Sequence, residues 1–238
     1  MSRAAEHLVA ESTTAWAEPA ADAIVREPAP IAVHPVYAGR ALKPVGGLAK
    51  RAFDVCFAAA ALTLLAPLLA VIALAIRLDS RGPAIFRQER GGFNGRRFRI
   101  WKFRTMRDEP YDTRQVAHDD ERVTRVGRWL RRMSLDEFPQ LVNVLMGDMS
   151  LVGPRPHMIA HDREFTTVDP RYPLRTRARP GITGLAQVVG HRGPASTNEK
   201  IQNRTACDVA YVEGWSFQQD MQLVARTFVV LWNDARTL

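Results

Sequence analysis

An uncharged stretch runs from Val55 to Ile76 with a proline, Pro67, near its middle, and no other feature constrains the fold as strongly. A helix of that length can span the roughly 30 Å hydrocarbon core of a bilayer. Two features oppose a simple span. Proline inside a helix removes a hydrogen bond and favours a kink. Both flanks are basic, with Lys50 and Arg51 before the stretch and Arg77, Arg81, Arg87 and Arg90 after it, and basic flanks prefer the cytoplasmic side. From Val55 to Pro67 a helix rises roughly 18 Å, a little over half the core. A re-entrant helical hairpin with both ends cytoplasmic fits these facts. A kinked spanning helix fits them about equally well.

Downstream stands Ser134-Leu135-Asp136-Glu137-Phe138-Pro139-Gln140-Leu141, preceded by Arg131 and Arg132. Adjacent carboxylates beside arginines suit phosphoryl chemistry. A carboxylate can attack phosphorus or hold Mg²⁺, and guanidinium groups bind phosphate oxygens bidentately. The plainer reading is structural, because Ser134 and Glu137 match a Ser-x-x-Glu capping box. Pro139 strains that reading, since proline past the first turn breaks a helix. Further on, Pro154-Arg155-Pro156 is stiff, which makes Arg155 either a pre-organised anion clamp or part of a rigid connector. The loop Arg179-Pro180-Gly181-Ile182-Thr183-Gly184 is equally ambiguous on its own.

Around these motifs the chain reads as follows. Residues 1–46 are rich in Ala, Glu and Pro and predict a disordered tail without a secretory signal. Residues 83–106 predict strands about the hairpin signal Asn94-Gly95. Their aromatic and basic interleaving suits either single-stranded nucleic acid or a strand with one packed face and one basic face. Asp119–Met133 predicts a helix, with Val123, Val126, Leu130 and Met133 at helical spacing. Met221, Val224, Phe228 and Leu231 predict an amphipathic helix at a membrane surface or on the core. A net charge of +8 suits nucleic acid, anionic lipid or phosphorylated substrates without choosing among them. Two cysteines, Cys56 and Cys207, make no disulfide framework or metal pattern, and His157 with His161 reads as ordinary polar spacing.

Taken in order, these pieces resemble the bacterial sugar transferases, the monotopic polyprenyl-phosphate glycosyl-1-phosphate transferases. The resemblance rests on Lys50-Arg51-Ala52-Phe53-Asp54, on Lys102-Phe103-Arg104-Thr105-Met106, and on the Ser134–Leu141 motif. It continues through Gly147-Asp148-Met149-Ser150-Leu151-Val152-Gly153-Pro154-Arg155-Pro156, the Arg179–Gly184 loop, and Asp208 with Tyr211. The short N-terminal tail is similar to that of compact exopolysaccharide-type members. Ala66 departs from the family, which often has Ser before the hairpin proline, and His191-Arg192 departs from its usual Gly-Arg-Asn context.

The resemblance implies transfer of a sugar phosphate from a nucleotide (UDP) sugar to polyprenyl (undecaprenyl) phosphate, with release of UMP, in exopolysaccharide biosynthesis. It implies Asp136 as the covalent nucleophile and Glu137 as the Mg²⁺ ligand. Lys102, Arg131 and Arg155 would bind substrate phosphate, with Arg179 a further candidate. The expected fold is mixed and mainly α with a small β-hairpin. It comprises a tail (1–46), a re-entrant membrane helix kinked at Pro67 (47–78), and a cytoplasmic catalytic domain with interfacial amphipathic helices (79–238). The expected location is the cytoplasmic face of the bacterial inner membrane, with no nucleic acid partner. A homodimer interface and a lipid contact are both open to the hydrophobic hairpin and the Phe228 helix. A membrane-tethered nucleic-acid-binding module and a non-catalytic polysaccharide-assembly scaffold are the competing readings. Both predict function that is indifferent to Asp136.

Overall fold

The computed structural model describes residues 43–107, 120–193 and 195–236, with side chains up to residue 230. The expected tail therefore lies outside the described residues as far as residue 42. The described fold is mainly helical. Helix α1 (Gly47–Asp79) leads into an antiparallel hairpin of β1 (Ile85–Gly91) and β2 (Arg97–Phe103). Helices α2 (Arg125–Arg132) and α3 (Gln140–Met146) follow, then β3 (Ser150–Val152), α4 (Ile159–Val168) and β4 (Gly181–Thr183). Short α5 (Leu185–Val188) and the longer α6 (Asn198–Glu213) and α7 (Phe217–Arg236) complete it.

Helix α1 is long and apolar enough to cross a membrane, and its 33 residues stay helical through Pro67. One stripe of it faces the rest of the protein. Ala58, Ala61 and Leu62 pack with Phe98, Ile100, Leu141 and Val144, while Leu69, Ile72 and Ile76 pack with Phe103 and Leu130. The other face exposes Leu64, Val71, Leu74 and Leu78.

Polar ties hold both ends of this helix. Lys50, a basic flank in the sequence, is buried in an ion pair with Asp220 of α7 at 2.6 Å. Tyr211 and Trp215 also donate to Asp220. Asp54 Oδ1 accepts from the Leu151 amide at 3.0 Å, and Arg51 donates to the carbonyls of Val144 and Leu145 at the end of α3. At the far end, Asp79 Oδ2 accepts from the Val126 amide in the first turn of α2 at 3.1 Å.

The hairpin forms as the Asn-Gly signal predicts. Asn94 and Gly95 both have positive φ, 53° and 71°, which a tight turn of this hand requires. On β2, Phe98, Ile100 and Phe103 point into the core and Arg99 is exposed. The Arg87 guanidinium lies 4.0 Å above the Trp101 ring, so part of the aromatic and basic interleaving is satisfied within the sheet.

Three expectations need correction. The helix predicted from Asp119 begins at Arg125, with the Thr124 hydroxyl accepting from the Gly127 amide. Residue 119 itself lies outside the described residues, and Asp120–Val123 form a turn and a bridge. Ser134 caps nothing with its side chain, so no capping box forms. The stripe on α7 packs on the core only in part, through Val224. Asp220 and Leu223 are buried and Phe228 is 63% exposed, because the polar anchor at Asp220 and the Thr227 hydroxyl set which face packs.

The two Pro/Gly loops, read separately from the sequence, form a parallel pair, with Ser150 opposite Gly181 and Val152 opposite Thr183. A Cβ on Gly153 would stand 2.2 Å from the Arg179 carbonyl oxygen, and one on Gly181 2.1 Å from the Gly153 amide nitrogen. Only glycine lets these backbones approach so closely.

Candidate active site

The carboxylate pair is carried on a turn. Helix α2 ends at Arg132, and Ser134 takes a left-handed conformation with φ 54°, reversing the chain direction. Leu135–Glu137 then make one 3₁₀ turn, and Pro139 occupies the position before the first residue of α3. Proline is well suited there, because the amide it lacks has no helical partner to lose. The turn sits against the end of β2, which supplies Lys102, and the Pro154-Arg155-Pro156 connector after β3.

Glu137 is held from two sides. Lys102 Nζ donates to its Oε1 at 2.9 Å, and Arg155 grips it bidentately, Nη2 to Oε1 at 2.6 Å and Nη1 to Oε2 at 3.2 Å. Burial alone would raise the pKa of Glu137, but Arg155 and Lys102 together hold it far below the usual carboxylate range. Asp136 behaves in the opposite way. Burial and the adjacent Glu137 charge push its pKa up to about 6, against the pull of Lys102, Arg131 and Arg155. Burial lowers the Lys102 pKa, with Glu137 opposing.

Both carboxylates line a cavity of about 220 Å³. Lys102, Arg131, Arg155 and Arg192 bring positive charge to its wall, and Ser134 and Gln187 complete it. Four cations around two carboxylates attract an anion carrying more than one charge, such as a diphosphate. Arg192 also donates to the Ser134 hydroxyl at 3.3 Å, which ties the loop after α5 to the turn that bears the carboxylates.

A buried polar cluster stands behind Arg155. Arg175 donates to the Arg155 carbonyl oxygen and pairs with Asp208 of α6, Nε to Oδ2 at 2.9 Å. Tyr172 donates to Asp162 at 2.6 Å, and His157 lies among Tyr172, Arg175 and Arg204. Burial and the surrounding arginines push the His157 pKa well down, so its imidazole is neutral. Burial raises the Asp208 pKa and Arg175 opposes it. Together with the flanking prolines, this cluster fixes the backbone from which Arg155 reaches Glu137.

The structure thus brings together Asp136, Glu137, Lys102, Arg131 and Arg155. It does not bring Arg179 to the cavity wall. The Arg179 Nε donates to the Gly147 carbonyl at 2.9 Å, beside Arg51, where it closes the C-terminal end of α3. Gln187 at the wall carries no distinguishing sequence signal, and Arg192 shows only as a departure from a family pattern. His157 and Asp208 turn out to belong to the buried support.

Among the described residues no three or more His, Cys, Asp and Glu side chains cluster in a way that could hold a metal ion alone. The donor set suits Mg²⁺ in another manner, since Mg²⁺ is commonly bound by one or two carboxylates together with substrate phosphates. Glu137 beside Asp136 supplies that number, once substrate phosphates draw Lys102 and Arg155 away from the Glu137 oxygens they now occupy.

A turn-borne carboxylate pair ringed by cations stands close to a helix apolar enough to cross a membrane, and the charge of that ring suits phosphate-bearing ligands. Residues 45–234 match the bacterial sugar transferase family, and the chain belongs to it. It is 54% identical to the UDP-glucose:undecaprenyl-phosphate glucose-1-phosphate transferase of Caulobacter vibrioides, over 76% of this chain and 68% of that protein. It is 46% identical to the protein of the same name in Escherichia coli, over 78% of this chain and 40% of that one. It is also 45% identical to the exopolysaccharide production protein PSS of Rhizobium leguminosarum, over 76% of this chain and 93% of that protein. The chain is therefore a bacterial sugar transferase, an enzyme whose named relatives are undecaprenyl-phosphate sugar-1-phosphate transferases. It spans about two fifths of the Escherichia coli relative.

Proposed function

We propose that this enzyme transfers a sugar-1-phosphate from a UDP-sugar to undecaprenyl phosphate through a phosphosugar–Asp136 intermediate, an early step in exopolysaccharide synthesis. UDP-glucose is the first donor to consider, because the Caulobacter vibrioides and Escherichia coli relatives are named for it. One observation carries the reading. Asp136 lines a cation-walled cavity beside Glu137, whose own charge is already met by Lys102 and Arg155.

In this mechanism an Asp136 oxygen attacks the phosphorus that bears the sugar. The bond from that phosphorus to the bridging oxygen breaks, and its electron pair leaves with UMP. Lys102, Arg131 and Arg155 face the oxygens on which charge gathers. A phosphate oxygen of the lipid then attacks the same phosphorus and the Asp136 carboxylate departs, giving a polyprenyl-diphosphate sugar and free enzyme. One nucleophile so serves a soluble and a lipid substrate in turn. Mg²⁺, when bound with the diphosphate, supplies charge neutralisation at the phosphoryl oxygens. Glu137 would hold it.

The position of α1 supports a monotopic arrangement on the cytoplasmic face of the inner membrane. Both ends of the helix are tied to one body, at Asp220 and Leu151 on one side of Pro67 and at α2 on the other. A helix held in this way would keep both of its ends on one side of a bilayer. Its exposed Leu64, Val71 and Leu74 would meet lipid.

The deciding experiment measures UMP release by detergent-solubilised protein from a panel of UDP-sugars, with and without undecaprenyl phosphate and Mg²⁺. Release that depends on one sugar, the lipid and the metal, and is lost in Asp136→Asn, is the expected result. Normal turnover by that variant would remove Asp136 as nucleophile. A folded protein silent across the panel would overturn the reaction itself.

A further inference from the structure

Next to the cavity that holds the carboxylate pair lies a second, mostly apolar cleft. The two share Ser134, Glu137, Gln187 and Arg192. Beyond that shared edge the walls are Phe138, Ile182, Val188 and, from α7, Val230. The polar groups there are bonded within the protein or shut off from solvent. The Thr183 and Thr227 hydroxyls bond each other at 2.7 Å, and Thr227 also donates to the Leu223 carbonyl at 2.7 Å. Gln187 Nε2 donates to the Ile182 carbonyl at 3.0 Å, and its Oε1, which has no partner, is shut off from solvent and so from the cleft.

A sugar ring or nucleobase in this cleft would leave hydroxyls or ring nitrogens without partners, at about 1–3 kcal/mol for each. A hydrocarbon chain meets no such penalty. The apolar surface also continues outward, because Phe228 and Val229, beside the cleft wall on α7, are 63% and 59% exposed.

We propose that this cleft seats the first isoprene units of the polyprenyl phosphate acceptor, its phosphate lying against Lys102, Arg131, Arg155 and Arg192. The match is one of complementarity across two neighbouring spaces that share a wall. The cationic end suits the anionic head, the carbon-lined end suits the chain next to it, and Phe228 and Val229 lead the remainder towards the bilayer. The inference rests on the acceptor proposed above. It assigns Ile182, Val188 and Val230 to acceptor binding, separate from the residues that handle the donor.

Two measurements test it. Val230→Trp, which fills the cleft, should raise the KM for undecaprenyl phosphate about tenfold or more while the KM for the UDP-sugar stays unchanged. An unchanged acceptor KM, or a rise confined to the donor KM, overturns the assignment. The second measurement uses the unaltered protein in vesicles with a polyprenyl phosphate that carries a photoreactive diazirine on its first isoprene unit. Labelled peptides should contain residue 182, 188 or 230; label confined to α1 or α2 overturns the proposal. Cross-linking needs no turnover, so label at these residues without UMP release would support the seat and count only against the transfer reaction.

Discussion

Arg155 and Glu137 meet through two hydrogen bonds, Nη2 to Oε1 at 2.6 Å and Nη1 to Oε2 at 3.2 Å, and Lys102 reaches the same Oε1 at 2.9 Å. Glu137 is therefore neutralised by fixed cations before any substrate arrives. Adjacent in the chain, Asp136 carries the raised pKa of the pair. Two neighbouring carboxylates thus occupy different electrostatic positions, an arrangement that separates their roles.

The bidentate grip is specific to arginine, whose planar fork matches a carboxylate as lysine does not. Arg155→Lys should keep the positive charge but lose one of the two bonds. Hydrogen bonds to charged groups contribute about 1.5–3 kcal/mol, so kcat/KM for the donor should fall about ten- to a hundredfold. Steady-state UMP release checks this. Activity equal to the parent's would mean that charge alone suffices at this position.

The pH dependence follows from Asp136. Its pKa of about 6 lies above the ordinary carboxylate value, and the proposed attack on phosphorus needs it ionised. Single-turnover UMP release should therefore be nearly full at pH 7, half-maximal near pH 6, and about tenfold lower one unit further down. Glu137 stays ionised through this range because its pKa is depressed. Arg131 pulls the Asp136 pKa down, so Arg131→Gln should move the acidic limb to higher pH. A limb that stays still or moves down would detach it from Asp136.

Asp208 acts on the site from a distance, through Arg175 and the Arg155 backbone. Asp208→Ala leaves the buried Arg175 charge poorly matched, a loss of about 3–5 kcal/mol. In a domain of this size that corresponds to a fall in Tm of about 10 °C. Asp208→Asn keeps an acceptor for Arg175 and should lose less. If Asp208 positions Arg155, the Asn variant should show a reduced kcat with nearly parental Tm. A loss of Tm with unchanged kcat would make its role purely structural.

Much of this site was legible in the sequence, and the reasons are local. Asp136, Glu137, Arg131 and Arg155 stand in stiff or strongly patterned stretches, Lys102 was reached only through the family resemblance, and the structure places all five around one cavity. The Asn94-Gly95 turn was legible because its backbone requirement is carried by the residues themselves. What could not be read depended on pairing across long separations. The parallel contact of β3 with β4 is three residues long on each side, too short for any periodicity. Ser134-x-x-Glu137 matched a capping pattern, but Arg155 and Lys102 hold Glu137 and Pro139 postpones the helix. Lys50 looked like a solvated flank because nothing nearby in sequence announces Asp220.

The β3–β4 contact gives a stability prediction with an internal control. An added Cβ at Gly181 would lie 2.1 Å from the Gly153 amide nitrogen and 2.3 Å from the Thr183 carbonyl oxygen, and neither backbone atom can move aside cheaply. Gly181→Ala should destabilise the protein by about 2–3 kcal/mol. Gly193→Ala meets nothing within 4 Å and should be neutral within about 0.5 kcal/mol. Urea unfolding of both variants decides; equal midpoints would mean that the two strands separate without loss.

The placement of α1 gives a test of topology. Its two ends are tied to the same body, through Lys50 to Asp220 and through Asp79 to Val126, while Leu64, Val71 and Leu74 are exposed between them. If the helix enters one leaflet and stays there, single cysteines at residues 45 and 82 should label from the same side of the membrane. The background would lack the natural Cys56 and Cys207. In whole cells, a thiol reagent that does not cross the membrane should leave both positions unmodified until the cells are opened. Labelling of residue 45 alone in intact cells would make α1 a spanning helix. Lys50 and Asp54 would then have to leave their buried partners, Asp220 and the Leu151 amide. Breaking the ion pair by removing one partner costs about 3–5 kcal/mol, so Asp220→Asn should loosen the arrangement first. It should raise the labelling rate at residue 45 in opened cells and leave residue 82, held from the other end, unchanged.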